Sequence, residues 1–265
     1  MISQLKISLV VSVYNQVRFL ELWLAAIARQ TIAPLEILIA DDGSNSEIGT
    51  IIALFRSKLP FPVHHIWHED RGFRKNMILN KALAAASGNY IVLTDIDCLP
   101  HPRFIEDHAA LAEKNFWVQG RRCYLSEASS GSMTGGAPVP SLRLSLTGQL
   151  SGVMKGFRFP MALVKKNFEH RGIIGCNMAI WRDDLIALNG WDEEYEGWGL
   201  GEDSDLGARL YHSGRARKLV YGRAIIYHLH HPTLSRGHMT ASQARFNETL
   251  QTKKTRCARG VDQYL

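Results

Sequence analysis

The sequence predicts an α/β fold with a mostly parallel central sheet flanked by helices, and two observations carry this prediction. Short apolar runs rich in β-branched residues alternate along the first hundred residues with amphipathic stretches of helical period. Polar clusters follow directly after three of these runs, at the strand ends where ligands of parallel sheets gather. Right-handed strand–helix–strand units would join such elements into one layered domain.

The apolar runs define four strands, at residues 6–13, 36–40, 63–67 and 90–94. Amphipathic helices fill the intervals between them, because apolar residues recur there at spacings of three and four. The apolar face of the first helix consists of Phe19, Leu20, Trp23, Leu24 and Ile27, and that of the second consists of Ile48, Ile51, Ile52 and Phe55. The third helix spans residues 74–86.

Composition is that of an ordinary globular protein. Of 265 residues, 46% are hydrophobic and 21% charged, which excludes collagen-like, coiled-coil and wholly disordered chains. No apolar run reaches the roughly 18 residues that a membrane span requires, and we expect no signal peptide. The four cysteines form no CxxC pair, which argues against a zinc knuckle or a disulfide scaffold. We therefore expect a soluble, cytoplasmic chain.

The formal net charge of +6 arises largely from one part of the chain. Residues 128–182 contain one acid, Glu169, against seven bases. Segment 126–171 breaks the strand–helix pattern, and we expect a flexible basic insertion there. Its phenylalanines and bases suit a peripheral membrane contact through residues 143–171, a lipid-diphosphate acceptor, or a solvated loop. We expect no nucleic-acid partner, because no recognised binding module accompanies the charge.

Pairs of aspartates follow two of the predicted strands. Asp95 and Asp97 are costly side by side unless something neutralises them, because like charges raise each other's pKa. A divalent cation bridging to a diphosphate would do so; a turn in which both accept backbone hydrogen bonds is the alternative. Asp41 and Asp42 also have two possible roles. They can form a turn with a helix N-cap, or they can hydrogen-bond to a nucleotide base or ribose.

The most specific segment is residues 197–206, where three glycines precede two acids. Glycine lets the backbone approach a ligand closely, and Trp198 offers a flat apolar face for a sugar ring. Glu202 and Asp203 would begin a helix, whose N-terminus favours negative charge. A carboxylate held there can accept a proton from an attacking hydroxyl. Helix capping without catalysis is the alternative.

Two histidines, His228 and His231, follow an apolar run at residues 224–227. Histidines three positions apart can share one metal ion, and a structural or exposed pair is the alternative. If Asp97 holds a cation, a histidine from this distant part of the chain would complete its ligand set.

Together these motifs make the chain resemble the family 2 glycosyltransferases of the GT-A fold, over roughly residues 5–235. The matching motifs are Val-Ser-Val-Tyr-Asn at 11–15, Asp-Asp-Gly-Ser at 41–44 and Asp-Ile-Asp at 95–97. Residues 189–203 look like the galactosyltransferase C-terminal pattern, and residues 73–80 resemble the segment that precedes the metal strand in that family.

The resemblance implies a metal-dependent, inverting enzyme with Mn²⁺ or Mg²⁺ as its cofactor. Its donor would be a UDP-sugar, and it would transfer a hexose or N-acetylhexosamine to a hydroxyl of a glycan or lipid-linked acceptor in surface polysaccharide synthesis. The implied organisation is one catalytic domain, residues 1–235, followed by a C-terminal extension, 236–265. Residues 1–100 would bind the nucleotide, and residues 172–235 would form the acceptor and catalytic half.

The resemblance also implies roles for individual residues. Positions that match nucleotide contacts are Tyr14, Asn15, Asp41, Asp42, Phe73, Lys75 and Asp95. Those that match metal ligands are Asp97, His228 and His231, although animal galactosyltransferases have methionine at the first histidine. Asp203 matches the catalytic base, with Glu202 beside it, and Trp198 matches the acceptor platform.

Two other function classes share part of this pattern. A sugar-phosphate nucleotidyltransferase would need a glycine-rich N-terminal loop with Arg and Lys to hold a triphosphate, whereas residues 14–16 after the first strand are Tyr-Asn-Gln. A non-catalytic nucleotide-sugar binding protein would not need Glu202 and Asp203 opposite a metal motif.

Overall fold

A central eight-stranded sheet organises the computed structural model, which describes residues 5–133, 150–151, 156–197, 201–232 and 239–265. Its strands are β1 (Ile7–Val13), β2 (Glu36–Asp41), β3 (Val63–Trp67), β4 (Tyr90–Asp95), β6 (Phe116–Gln119), β9 (Leu163–Asn167), β10 (Asn177–Trp181) and β11 (Ala216–Tyr221). Their spatial order is β3-β2-β1-β4-β10-β6-β11-β9. The four strands predicted from the sequence, β1 to β4, are present within one residue of their expected bounds and are parallel.

A smaller sheet lies at the end of β4 and supplies part of the site described below. It contains β5 (Cys98–Pro100), β7 (Arg121–Leu125), β8 (Leu150–Ser151) and β12 (Ile225–His228), in the order β5-β12-β7-β8. In the main sheet, β10 is antiparallel to both of its neighbours, β4 and β6, and β9 is antiparallel to β11. The sheet is therefore mixed in its second half.

Helices cover both faces of the main sheet. They are α1 (Val17–Ile27), α2 (Ser46–Arg56), α3 (Lys75–Ala85), α4 (Phe104–Leu111), α5 (Glu127–Ser132), α6 (Arg182–Ala187), α7 (Glu202–His212) and α8 (Met239–Thr252), with a 3₁₀ turn at Val261–Gln263. Alternate residues of β1 point to opposite faces, as a pleated strand requires: Leu9 and Val11 pack with α1 and α2, and Val10 packs with α3 and α7. Among the described residues, no helix combines the length and the apolar character needed to cross a membrane.

The described parts of the basic segment include regular structure and internal ion pairs. Strand β9 falls inside the expected insertion 126–171 and extends the main sheet. Arg158 pairs with the buried Asp107, and Lys166 pairs with Glu113. These contacts leave less free positive charge for an anionic surface than the composition indicates.

The C-terminal segment packs into the same body instead of extending from it. Thr249 on α8 donates a hydrogen bond from Oγ1 to Oδ1 of Asp205 on α7, at 2.7 Å. Val261 is fully buried in the core beside α3. The Tyr264 hydroxyl donates to Glu193. A boundary after residue 235 therefore does not mark the end of the packed domain.

Candidate active site

The carboxyl ends of β1, β2 and β4 bring the predicted polar clusters together. Strand β1 lies between the other two, and its register places Val13 opposite Asp41 and Ser12 opposite Asp95. Ser12 donates a hydrogen bond from Oγ to Asp95 Oδ1, at 2.6 Å. The aspartates from sequence-distant strands therefore line one edge of the sheet, where parallel α/β sheets bind ligands.

Asp41 and Asp42 are held by two histidines that the sequence analysis did not single out. Asp41 is fully buried; its Oδ1 accepts from the Ser44 backbone N–H, and its Oδ2 lies 2.7 Å from His65 Nε2. Asp42 Oδ1 lies 2.7 Å from His68 Nε2. Both aspartates thus have partners within the protein, and the turn that they form is rigidly placed.

The protonation of the Asp42–His68 pair is set mainly by burial. Burial raises the pKa of Asp42, against the lowering effect of its hydrogen bonds to His68 and to the Arg74 backbone N–H. Burial likewise lowers the pKa of His68, although Asp42 opposes that shift. Both shifts favour the neutral forms. The imidazole and carboxyl are therefore suited to hydrogen bonding more than to carrying charge.

The other predicted nucleotide-side residues surround this turn. Asn15 adopts a left-handed backbone with φ of 49° and accepts a hydrogen bond from the Asn45 N–H at 2.9 Å. Tyr14 is 49% exposed, and its hydroxyl donates to Asp70. Phe73 is partly buried, and its carbonyl accepts from the Gly197 N–H. Trp67, at the end of β3, is 52% exposed and adds an open aromatic face.

Asp97, His228 and His231 form a three-residue cluster that can hold a metal ion. Their ligand atoms lie within 4.8 Å of one another. The pairing of β12 with β5 explains part of this convergence, because it sets His228 opposite Cys98, the residue after Asp97. Asp97 Oδ2 lies 3.1 Å from His231 Nε2 and 3.4 Å from His228 Nε2.

The donor set of this cluster fits a divalent transition metal. Burial raises the pKa of Asp97, but the hydrogen bond with His231 and the interaction with His228 outweigh it and bring that pKa to about 2. The carboxylate is therefore ionised, as a metal ligand must be. Burial lowers the pKa of His228, which favours the neutral imidazole that binds metals, whereas the hydrogen bond to Asp97 raises the pKa of His231, so that a cation would displace the proton of His231. One carboxylate with two imidazoles suits Mn²⁺ or Zn²⁺, whereas Mg²⁺ prefers oxygen ligands.

A second charged group contacts Asp95. Lys75, in the first turn of α3, places its Nζ 2.8 Å from Asp95 Oδ1. Burial lowers the pKa of Lys75, but the charges of Asp95 and Asp203 outweigh it, so the net shift is upward. The three side chains line one small cavity together with Gly175 and Trp191. Lys75 is thus a fixed cation between the nucleotide-side aspartate and the predicted catalytic base.

Glu202 and Asp203 begin α7, as the sequence predicts. Asp203 Oδ2 accepts a hydrogen bond from the Gly175 N–H at 2.7 Å, and a Cβ at position 175 would collide with this carboxylate. Burial raises the pKa of Asp203, while Lys75 lowers it. Burial and the charge of Asp203 raise the pKa of Glu202 to about 7. The pair therefore joins a carboxylate anchored by backbone to an acid that titrates near neutrality.

The structure describes every predicted site residue except Trp198, which lies outside the described residues together with residues 199 and 200. The side chains missed by the sequence analysis are Ser12, His65, His68 and Trp67. The run His64-His65-Ile66-Trp67-His68 closes the third predicted strand, so its position at a strand end is the signal that could have identified three of them.

Comparison with known families agrees with this geometry. The family described as glycosyl transferase family 2 matches residues 8–187, more than half of the chain. The chain belongs to glycosyl transferase family 2. A second family, described as the N-terminal domain of galactosyltransferase, matches residues 156–232.

Relatives of this family 2 chain include polysaccharide synthases. It is 28% identical to the chondroitin synthase of Escherichia coli and 26% identical to the hyaluronan synthase of Pasteurella multocida, and each match covers 85% of this chain. It covers only 35% and 25% of those two proteins. It is also 26% identical to validoxylamine A glucosyltransferase of Streptomyces hygroscopicus subsp. limoneus, over 78% of this chain and 48% of that protein.

Solved structures show that the chain has the GT-A fold. Residues 1–349 of TarS from S. aureus, in complex with UDP-GlcNAc, match with a TM-score of 0.64 at 17% identity, over 98% of this chain and 69% of that one. The mannosyltransferase PcManGT of Pyrobaculum calidifontis, in complex with GDP-Man and Mn²⁺, matches with a TM-score of 0.58 at 17% identity. That match covers 98% of this chain and 66% of the mannosyltransferase.

Proposed function

We propose that this family 2 chain is a metal-dependent inverting glycosyltransferase. It transfers a hexose or N-acetylhexosamine from a UDP-sugar to a hydroxyl of a glycan or lipid-linked acceptor, in polysaccharide synthesis. The observation that carries the proposal is the arrangement at the sheet edge, where Asp95 shares a cavity with Lys75 and Asp203 and is followed two residues later by Asp97 and its two histidines. The polysaccharide synthases among its relatives support the class of product.

The metal cluster has one task in this reaction. Asp97, His228 and His231 would hold the cation, which when bound stabilises the negative charge of the departing diphosphate. The two imidazoles favour Mn²⁺ over Mg²⁺, because Mg²⁺ binds through oxygen ligands and retains its water molecules.

Asp203 acts as the general base in this proposal. The acceptor hydroxyl oxygen bonds to the anomeric carbon as the bond from that carbon to the diphosphate breaks, and the hydroxyl proton passes to Asp203. The Gly175 N–H fixes one oxygen of Asp203, which leaves the other to receive the proton. The charge of Lys75 opposes the rise that burial causes in the pKa of Asp203.

The nucleotide half serves the donor. Exposed rings, Tyr14 and Trp67, offer faces for the base, and Asn15, Phe73 and Asp95 lie at the same edge. Asp41 and Asp42 contribute through the turn and through their histidine partners, because their own oxygens are bonded within the protein. Trp198 remains the proposed acceptor platform.

A donor assay tests the proposal directly. Purified protein with a panel of UDP-sugars should release UDP when Mn²⁺ is present, more slowly with Mg²⁺, and not in excess EDTA. His231→Gln should raise the Mn²⁺ concentration for half-maximal release at least tenfold, because the loss of a residue that merely supports a metal ligand already costs about 10- to 100-fold in affinity. His64→Gln, at an exposed position on β3, is the matched control and should leave that concentration unchanged. UDP release that persists at full rate in EDTA would contradict the metal role.

A further inference from the structure

Strand β7 carries an arginine to the metal cluster. The strand pairs in parallel with β12, in a register that sets Tyr124 opposite His228. Because alternate residues of a strand share a face, Arg122 lies on the same face of the small sheet as Tyr124 and His228. The ring of Tyr124 lies 5.1 Å from the His228 ring, and the Arg122 guanidinium lies 5.0 Å from the centre of the Tyr124 ring. Arg122 is therefore a neighbour of the metal cluster.

Arg122 has no carboxylate partner in the part of the chain that the structure describes. Its Nη1 donates to Cys176 Sγ at 3.7 Å, and its guanidinium stacks on the Tyr124 ring. A thiol sulfur is a weak acceptor, and the Arg122 side chain is partly buried. A cation removed from water without an anion is unfavourable. The site of Arg122 is therefore suited to an anionic ligand.

The charge of Arg122 reaches both the metal cluster and the predicted base. Cys176, which Arg122 contacts, follows Gly175, whose N–H binds Asp203. Burial raises the pKa of Asp203, and the charge of Arg122 is among those that oppose this rise. Burial lowers the pKa of His228, and the charge of Arg122 adds to that effect. A ligand that bridges the metal cluster and the base would thus meet the guanidinium.

We infer that Arg122 binds the β-phosphate of the donor, the phosphate that carries the sugar. The inference rests on the proposed function, which supplies this diphosphate. In the transfer step the bond from the anomeric carbon to the β-phosphate oxygen breaks, and its electron pair stays on that oxygen. Arg122 donates hydrogen bonds to the phosphate as this charge develops, and it keeps its own protons because a guanidinium is not deprotonated in proteins.

A guanidinium is well suited to this task. Its planar N–H groups can make two parallel hydrogen bonds to phosphate oxygens. Among the described residues only the Nη1 group has a hydrogen-bond acceptor, so further N–H groups remain for the ligand. Lys75 is the only lysine or arginine among the predicted site residues, and it is already paired with Asp95. Arg122 therefore adds a positive charge that no described carboxylate neutralises.

Binding of a diphosphate tests this role without any transfer of sugar. The probes are UDP, UMP and inorganic pyrophosphate, each titrated calorimetrically at saturating Mn²⁺. Arg122→Gln should bind UDP and pyrophosphate at least about tenfold more weakly than the wild type, as expected when a charge-assisted hydrogen bond is lost. It should bind UMP like the wild type, because UMP has no β-phosphate. Arg122→Lys should retain part of the affinity, since it keeps the charge but not the planar donors.

Arg121→Gln is the matched control. Arg121 precedes Arg122 on β7 and lies on the opposite face of the strand, with its guanidinium 5.3 Å from the centre of the Tyr221 ring. The control should bind all three probes like the wild type. Titration of Mn²⁺ alone should show that Arg122→Gln binds the ion at least as tightly as the wild type, because a repelling charge has been removed. Thermal unfolding confirms that each variant is folded.

The inference is overturned if Arg122→Gln matches Arg121→Gln with UDP and pyrophosphate, if it weakens UMP as much as UDP, or if its loss of Mn²⁺ affinity equals its loss of UDP affinity. A wild type that binds neither UDP nor pyrophosphate would overturn it as well. With normal UDP release by the wild type, the first three results leave the proposed function standing. Absent UDP release together with pyrophosphate binding that depends on Arg122 would overturn the proposed function and keep Arg122 as a diphosphate ligand.

Discussion

Replacing Asp203 with asparagine removes the proposed base while preserving its contacts. Asparagine has the same shape, and its side-chain carbonyl can accept the 2.7 Å hydrogen bond that the Gly175 N–H now donates to Asp203 Oδ2. The tight fit against Gly175 excludes a larger residue but not an isosteric one. We therefore expect Asp203→Asn to fold and to bind the donor normally.

The size of the expected loss follows from the role of the base. General base catalysis contributes typically about 10²- to 10⁴-fold, so the rate of sugar transfer should fall by that factor, equivalent to about 3 to 5 kcal/mol in the activation free energy. Glu202 lies beside the vacated position. Its pKa is raised by burial and by the charge of Asp203, so the substitution should lower that pKa and leave Glu202 ionised but not anchored.

Mass detection of the transferred sugar measures the rate, and calorimetry measures UDP binding in the presence of Mn²⁺. Asp183→Asn, which removes one exposed carboxylate from the first turn of α6, is the matched control and should retain full activity. Near-normal transfer by Asp203→Asn would refute the base assignment. A parallel loss of UDP binding would show that Asp203 serves the donor instead.

Two further predictions concern stability. The pKa of Glu202 is raised from 4.5 to about 7 in the folded state, so the wild type should lose stability as pH rises between those values. Relative to wild type, Glu202→Gln should therefore gain about 3 kcal/mol at pH 8 but not at pH 4, measured by urea unfolding. An equal difference at both pH values would contradict the shift. Asp107 is buried and pairs with Arg158 and Arg223. In the same measurement, Asp107→Asn should therefore lower the free energy of unfolding by about 2 to 4 kcal/mol. The control Asp262→Asn, at an exposed ion pair, should lower it by less than about 1 kcal/mol.

The nucleotide half could be predicted from the sequence because its structure is local. Each strand of β1 to β4 is a short apolar run followed by polar residues, and parallel pairing then places those polar residues at one edge. The second half depends on long-range pairing that no local pattern encodes. Strand β10 reads as an apolar run like the others, yet it enters antiparallel between β4 and β6.

The candidate site shows the same division. Asp97 and the two histidines could be identified by residue type, because few roles require that set near a strand end. His65 and His68 could not be assigned to Asp41 and Asp42 from spacing, since the pairing follows from β2 lying next to β3. The resemblance matches Lys75 to a nucleotide contact, whereas its ammonium contacts Asp95 and lines one cavity with Asp203, a placement set by how α3 packs on the sheet.

The two aspartates of the Asp95–Asp97 motif have separate partners, and this separation bears on the role of the metal. Neighbouring carboxylates that are partly buried need neutralising charge. Asp95 receives it from Lys75 at 2.8 Å, and Asp97 receives hydrogen-bonding partners in His228 and His231. Both acids are thus accommodated by side chains of the protein itself. In the proposed reaction the cation would act on the diphosphate, which adds negative charge that Lys75 alone does not balance.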